Sequence, residues 1–258
     1  MKRDGRVRIA SVHAHPDDAE ILAGGTLALL AAAGHEITIV TMSDGDCGSG
    51  EFAPEELAKI RRREAIAAAE LIGAKYRWAG FHDLAIFSDD ASRRNVTRLI
   101  RELKPDIVLT AAPSDYLCDH EATSQLVRDA LFTAPVPNYW TVPASTPVQR
   151  IPHLYFMDPI GLADRNGAAV RPDFFIDVGS VFSTKERMLA KHESQRAWLK
   201  RQHGMDDYLE QMKRWTEARG RSAGVAYAEG FRQYKVHPYP QVNLLGELLA
   251  EYVIAEQR

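Results

Sequence analysis

The feature that most constrains this chain is the alternation of short, almost wholly apolar runs with stretches of helical period. Val7–Val12, Glu36–Met42, Tyr76–Ala79 and Asp106–Ala111 read as strands. Between and after them, Asp18–Ala33, Pro54–Ile72, Ala91–Leu103 and His120–Phe132 read as helices, with Gly73 and Lys104-Pro105 as stop signals. Strands that are apolar throughout are covered on both faces, and strand–helix alternation makes their neighbours parallel. Beyond about residue 133 the pattern loosens. Ala134–Pro152 carries five prolines and reads as a loop that shapes a pocket. His153–Met157 and Phe174–Val178 read as two further strands, and Ser183–Arg201 and Met205–Arg219 as two helices. The apolar stripe of the last helix, which includes Tyr208, Met212 and Trp215, suits core packing or a subunit interface, so a homo-oligomer stays open. The fold expected is α/β and Rossmann-like: one domain, 1–258, with a mostly parallel sheet, helices on both faces and an elaborated C-terminal third.

Charge and composition narrow the partners. A net charge of −3 gives no general attraction to nucleic acid. No run of about 18 apolar residues is present, so membrane insertion is not expected. The basic, polar N-terminus lacks a signal-peptide core. Two cysteines, Cys47 and Cys118, stand far apart in sequence, which fits a reducing cytoplasm.

Parallel α/β sheets place ligand sites at the carboxyl ends of their strands. The first strand runs into His13-Ala14-His15-Pro16-Asp17-Asp18-Ala19-Glu20. A well-capped helix start accounts for Pro16 and one acid. It does not account for a histidine and two adjacent carboxylates at the mouth of a buried strand, where like charges need a cation. The fourth strand runs into Asp115-Tyr116-Leu117-Cys118-Asp119-His120, with His120 opening a helix at the same edge. His15, Asp18 and His120 together make a three-ligand set for a catalytic metal with one open position. Zn2+ is the ion expected, and Fe2+ suits the same ligands. Asp17, beside a ligand but aimed differently, is placed to accept a proton. The Gly45–Gly50 loop lacks the Lys-Ser/Thr ending of a phosphate-binding P-loop.

His15-Pro16-Asp17-Asp18, then Ala19-Glu20 and Gly24-Gly25-Thr26, resemble the signature of the PIG-L/LmbE-type deacetylases. Further similarity runs through Thr41–Gly48, Arg61-x-x-Glu64, Gly80–Asp83, Asp119-His120 and Lys185 to Gln195. The resemblance implies metal-dependent hydrolysis of an N-acyl group, acetyl in the first instance, on a small sugar-like amine. It implies His15, Asp18 and His120 as metal ligands, Asp17 as general base, Arg61 and Asp83 as substrate contacts, and His192 as a catalytic pocket histidine. Many relatives carry a histidine three positions before the last ligand. This chain has Leu117 there, which leaves zinc, His192 or Tyr116 to hold the oxyanion. The alternatives are an amidase acting on a larger thiol conjugate or antibiotic, and a non-catalytic metal-binding relative.

Overall fold

The computed structural model describes residues 5–203 and 207–256. The first half follows the expected alternation: β1 (Arg8–His13), α1 (Asp18–Ala32), β2 (Glu36–Ser43), α2 (Pro54–Glu70), β3 (Lys75–Phe81), α3 (Asp90–Leu103), β4 (Ile107–Thr110) and α4 (Cys118–Thr133). Local signals set several of these ends. Asp89 caps α3 by accepting the Ser92 N–H, and Lys104 closes it in the left-handed region just before Pro105. β5 (His153–Met157), β6 (Phe174–Asp177), α5 (Phe182–Leu189), α6 (Glu193–His203), α7 (Tyr208–Ala223), β7 (Ala228–Gln233), α8 (Leu244–Leu248) and β8 (Val253–Ala255) follow.

Among the described residues eight strands join one sheet in the order β3-β2-β1-β4-β5-β7-β6-β8. The first five are parallel and the last three pair antiparallel, so the sheet is mixed and its classic alternating half ends at β5. Alternate residues of β1, β2 and β4 feed two cores. Ile9, Ile37, Ile39, Ile107 and Leu109 pack under α1 with Met188 of α5, while Ala10, Val12, Val40 and Val108 pack under α3 and α4. Helix α1 is apolar nearly all round, and it is buried nearly all round, between the sheet and α5. Among the described residues no helix is long and apolar enough to cross a membrane.

Two expectations change, and one strand, β7, stands where none was expected. The single helix read over Ser183–Arg201 is two, α5 and α6, because the chain breaks at Ala190–His192 and α6 restarts where Glu64 accepts both the N–H and the hydroxyl of Ser194. β7 has no strand-like alternation (Ala-Glu-Gly-Phe-Arg-Gln), yet it is buried. Its Gly230 makes room for Asp158, whose Oδ2 would stand 2.4 Å from an added Cβ. The proline-rich loop after α4 is fastened to α3 and does not wall the cavity described below. Arg101 donates to the carbonyls of Ala134 and Val136, and Arg93 to the Tyr139 hydroxyl. Met205, placed in the last helix by periodicity, lies outside the described residues.

One buried ion pair ties the C-terminal third to the first helix. Lys185 Nζ stands 2.6 Å from Glu229 Oε1, both side chains almost fully buried. Glu229 also accepts the backbone N–H groups of Gly25 and Thr26. Gly24 and Gly25 are small because the next layer is close: a Cβ would meet Lys185 Cγ at 3.2 Å and Val178 Cβ at 2.6 Å. Removing one partner of such a pair strands a buried charge and typically costs about 3–5 kcal/mol. Lys185→Met is therefore expected to lower unfolding free energy by that amount in urea denaturation. A loss under about 1 kcal/mol would mean that the two amides alone satisfy Glu229.

Candidate active site

The carboxyl edge of β1, β2 and β4 opens into a cavity of about 380 Å³. His15, Asp17 and Asp18 enter it from the turn after β1, Asp83 from the loop after β3, and Leu117 and His120 from the start of α4. The turn after β1 is not an ordinary helix cap. Asp17 occupies the N-cap position of α1 at φ 106°, in the left-handed region, and its side chain caps nothing. This backbone sends the two adjacent carboxylates in different directions. Aspartate tolerates the region better than most residues.

Asp18 faces the two histidines. Its Oδ2 accepts the His15 N–H and lies 3.6 Å from His15 Nδ1, and its Oδ1 lies 3.5 Å from His120 Nε2. The two ring nitrogens are 3.3 Å apart. Ligands about 2.0–2.1 Å from a tetrahedral ion stand about 3.3–3.4 Å from one another, so the two ring nitrogens and the Asp18 carboxylate beside them are spaced to suit a divalent ion. Each histidine is turned by a carboxylate on its far nitrogen. Asp119 Oδ2 is 3.1 Å from His15 Nε2 and also accepts the Leu84 N–H, while Asp115 Oδ2 is 3.2 Å from His120 Nδ1. Such outer carboxylates fix ring orientation at metal centres. Burial opposes protonation of both rings. Asp119 and Asp18 outweigh it at His15, raising its pKa to about 9, and Asp18 and Asp115 do the same at His120, raising it to about 10. Asp18 is held well below the usual carboxylate range: burial alone would raise it, and His120, then His15, win.

Asp17 faces away from the histidines. The Tyr208 hydroxyl donates to its Oδ2 at 2.5 Å, and Arg61 lies 3.5 Å from its Oδ1. Burial pushes its pKa up, and Arg61 only partly offsets that. Arg61 is not on a solvated helix face paired with Glu64. It is 3% exposed and donates to the carbonyls of Pro16 and Gly45. Gly45 must be glycine here: its φ is 74°, and a Cβ would meet Arg61 Nη1 at 2.4 Å. Asp83 lines the cavity, accepts the Ser43 hydroxyl and the Cys47 N–H, and comes within 3.7 Å of His15 Nε2.

His192 corrects the expectation of a pocket histidine. It is fully buried, it does not line the cavity, and its Nε2 lies 3.6 Å from Glu20 Oε2. The break between α5 and α6 turns it inward. Burial disfavours its charged form, but Glu20 and then Asp17 outweigh that and raise its pKa. It therefore cannot meet a substrate carbonyl in this arrangement. The Tyr116 ring, 66% exposed, lies edge-on to His120 at 5.6 Å and lines the cavity beside Leu117.

Residues 10–131 match the model of the PIG-L family, described as GlcNAc-PI de-N-acetylase. Over that segment the chain is similar to the PIG-L family. Over 87% of its length it is 28% identical to the diacetylchitobiose deacetylase of Thermococcus kodakarensis, covering 82% of that protein. It is 29% identical to the 4-oxalmesaconate hydratase of Pseudomonas putida, over 67% of this chain and 68% of that one. The solved N,N'-diacetylchitobiose deacetylase of Pyrococcus horikoshii, 24% identical, superposes with a TM-score of 0.75 over 93% of this chain and 89% of its own, which speaks to the fold.

The cavity is completed by residues beyond the family match. Gln195, Leu199, Tyr208, Gln211 and Trp215, on α6 and α7, form the opposite wall of the cavity. Tyr208 is the functional neighbour that periodicity hid: it belongs to an apolar stripe and packs with Phe182, Leu189 and Met212, yet its hydroxyl ends on Asp17. A phenol within such a stripe needs a polar partner when buried, and that was the available signal.

The raised histidine pKa values set a proton linkage. With these pKa values both rings would carry protons near pH 7 in the metal-free protein, and a divalent ion bound between them would have to displace those protons. Calorimetric titration of the metal-free protein with Zn2+ in buffers of different ionisation enthalpy is expected to show release approaching two protons per ion at pH 7. Affinity should strengthen as pH rises toward 9 to 10. The same protonation stabilises the metal-free fold fully below the unfolded histidine value of about 6.5, and that contribution fades through pH 9 to 10. Zn2+ binding with no proton release would contradict the linkage.

Proposed function

We propose that this chain is a metal-dependent N-deacetylase that cleaves an N-acetyl group from a small sugar-like amine, with His15, Asp18 and His120 holding one Zn2+ or Fe2+. The observation that carries the reading is the spacing of three ligand residues, 3.3 Å between the His15 and His120 ring nitrogens and 3.5 and 3.6 Å from them to the two Asp18 oxygens, on one cavity wall beside a separate buried carboxylate. Zinc, when bound, supplies Lewis acidity toward water and the acyl carbonyl. Asp17 takes the proton of the attacking water and returns it to the departing amine. Tyr208 and Arg61 orient Asp17 for that exchange, and its desolvated, raised pKa makes it a stronger base than an exposed aspartate. Leu117 offers the oxyanion no hydrogen bond. The Tyr116 hydroxyl at the cavity wall is the protein donor that remains once His192 is set aside. Asp83 is assigned to substrate hydroxyls, and Arg61 acts chiefly through Asp17. Two cysteines, both free, support a reducing, cytoplasmic setting.

The hydratase relative favours a second reading, addition of water to an unsaturated polycarboxylate. The cavity supports it less. Among the described residues the one guanidinium lining it, Arg61, is already engaged by Pro16, Gly45 and Asp17, and the remaining wall is rich in Ile21, Leu84, Ile160, Leu199 and Trp215. A polyanion is poorly matched by such a wall.

Incubation with N-acetylglucosamine and with diacetylchitobiose, followed by an acetate assay, tests the reading directly. Asp17→Asn is expected to keep its metal and lose about 100- to 10,000-fold in kcat. His15→Ala and His120→Ala are expected to lose metal and activity together. Metal content undiminished in both histidine variants sinks the ligand assignment. Turnover of an unsaturated polycarboxylate without acetate release from any N-acetyl substrate would favour the hydratase instead.

A finer consequence concerns pH. The Tyr208 hydrogen bond lowers the Asp17 pKa against the larger effect of burial. Tyr208→Phe should therefore raise it further, and a base works only above its pKa. The acid limb of kcat/KM against pH is expected to move upward in this variant. An unmoved limb would remove Asp17 as the titrating base.

A further inference from the structure

We propose that Asp44, Asp46 and His82 form a second divalent-cation site at the carboxyl edge of β2 and β3, separate from the His15–Asp18–His120 set. Asp44 follows directly on β2, and His82 directly on β3. One ligand atom from each of Asp44, Asp46 and His82 lies within 4.8 Å of the other two. His82 Nδ1 is 2.9 Å from Asp46 Oδ2 and 3.6 Å from Asp44 Oδ1.

An ordinary surface pairing of His82 with Asp46 accounts for one of these contacts. It leaves Asp44 unexplained. Asp44 is 4% exposed, and its Oδ1 has no hydrogen-bond partner among the described residues although it points at the same imidazole nitrogen. A buried carboxylate oxygen without a donor is costly unless a cation reaches it. Its neighbours add to the deficit: Asp46 and Asp83 are further acids beside it, and burial, then Asp46, hold its carboxyl above the usual range. One largely exposed imidazole does not balance that group.

The surroundings are also built in a way that leaves the inward atoms free. Asp46 uses Oδ1 to accept the Asp83 N–H at 3.0 Å, so the loop is held without Oδ2. Asp83 in turn accepts the Cys47 N–H. Two carboxylate oxygens and one imidazole nitrogen, with His82 63% exposed, suit Zn2+, Mn2+ or Co2+ with water in the remaining positions. An ion there would stiffen the loop that presents Asp83 to the cavity, and Asp83 Oδ1 lies 3.7 Å from His15 Nε2. The two ions would thus be joined through one aspartate.

The test is a calorimetric titration of chelator-treated protein with Zn2+, and separately with Mn2+, checked by elemental analysis after desalting. Two binding steps are expected for the unaltered chain. His82→Ala, a change at an exposed side chain, and the isosteric Asp44→Asn should abolish the weaker step or weaken it about tenfold or more, since losing even an outer partner of a ligand costs about 10- to 100-fold. Both should leave the tighter step in place. His120→Ala should do the reverse. Circular dichroism checks that Asp44→Asn is folded. One binding step in the unaltered chain overturns the proposal, as does a second step of unchanged affinity in both His82→Ala and Asp44→Asn. A tighter step that survives His120→Ala counts against the proposed function alone and leaves the second site standing.

Discussion

The guanidinium of Arg61 crosses the carboxyl edge of the sheet and meets three acceptors from two segments: the Pro16 carbonyl, the Gly45 carbonyl and the Asp17 carboxylate. It comes from α2, is nearly fully buried, and so cannot be satisfied by water. A buried cation of this kind needs fixed partners, and their positions are fixed in return. The turn after β1 can adopt its left-handed step at Asp17 because Arg61 and Tyr208 hold the resulting carboxylate. Once Asp17 is drawn to that side, Asp18 is left to face the histidines. The division of labour between two adjacent acids is therefore set outside the dipeptide itself.

Charge around the cavity is arranged in layers. The inner layer is Asp18 with His15 and His120, and the outer layer is Asp119 and Asp115 on the far side of each ring. Behind these, the Lys185–Glu229 pair clamps α5 and β7 to α1, which begins at the site itself. The C-terminal third is thus more than an appendage to the parallel half. It supplies the antiparallel strand that carries Glu229 and the helix that carries Tyr208.

The sequence made the parallel half legible because its signals are local: apolar runs, helical spacing, and stops such as Lys104-Pro105. The grouping of His15, Asp18 and His120 was legible for a related reason, since strand polarity alone brings both loops to one edge. What stayed hidden depends on distant partners. The break before α6 is capped by Glu64, 130 residues away in sequence. β7 reads as polar and glycine-containing until Lys185 and Asp158 are placed against it. His192 sits at that break, buried and away from the cavity, where the resemblance implied a pocket histidine. The proline-rich loop looked like a pocket wall on composition, whereas its anchors are arginines on α3.

The two walls of the cavity come from different stretches of chain. The histidines, Asp17 and Asp18 lie within residues 10–131, the part that matches the PIG-L family, while Gln195, Leu199, Gln211 and Trp215 lie well beyond it on α6 and α7. Chemistry and selectivity are therefore written in separable text. On the proposed function, the helical wall could change to accept other substrates without disturbing Asp17, Asp18 and the two histidines, with one position excepted: Tyr208 belongs to that wall, but its hydroxyl donates to Asp17. That single phenol is the tether between a constant reaction and a variable choice of what is brought to it.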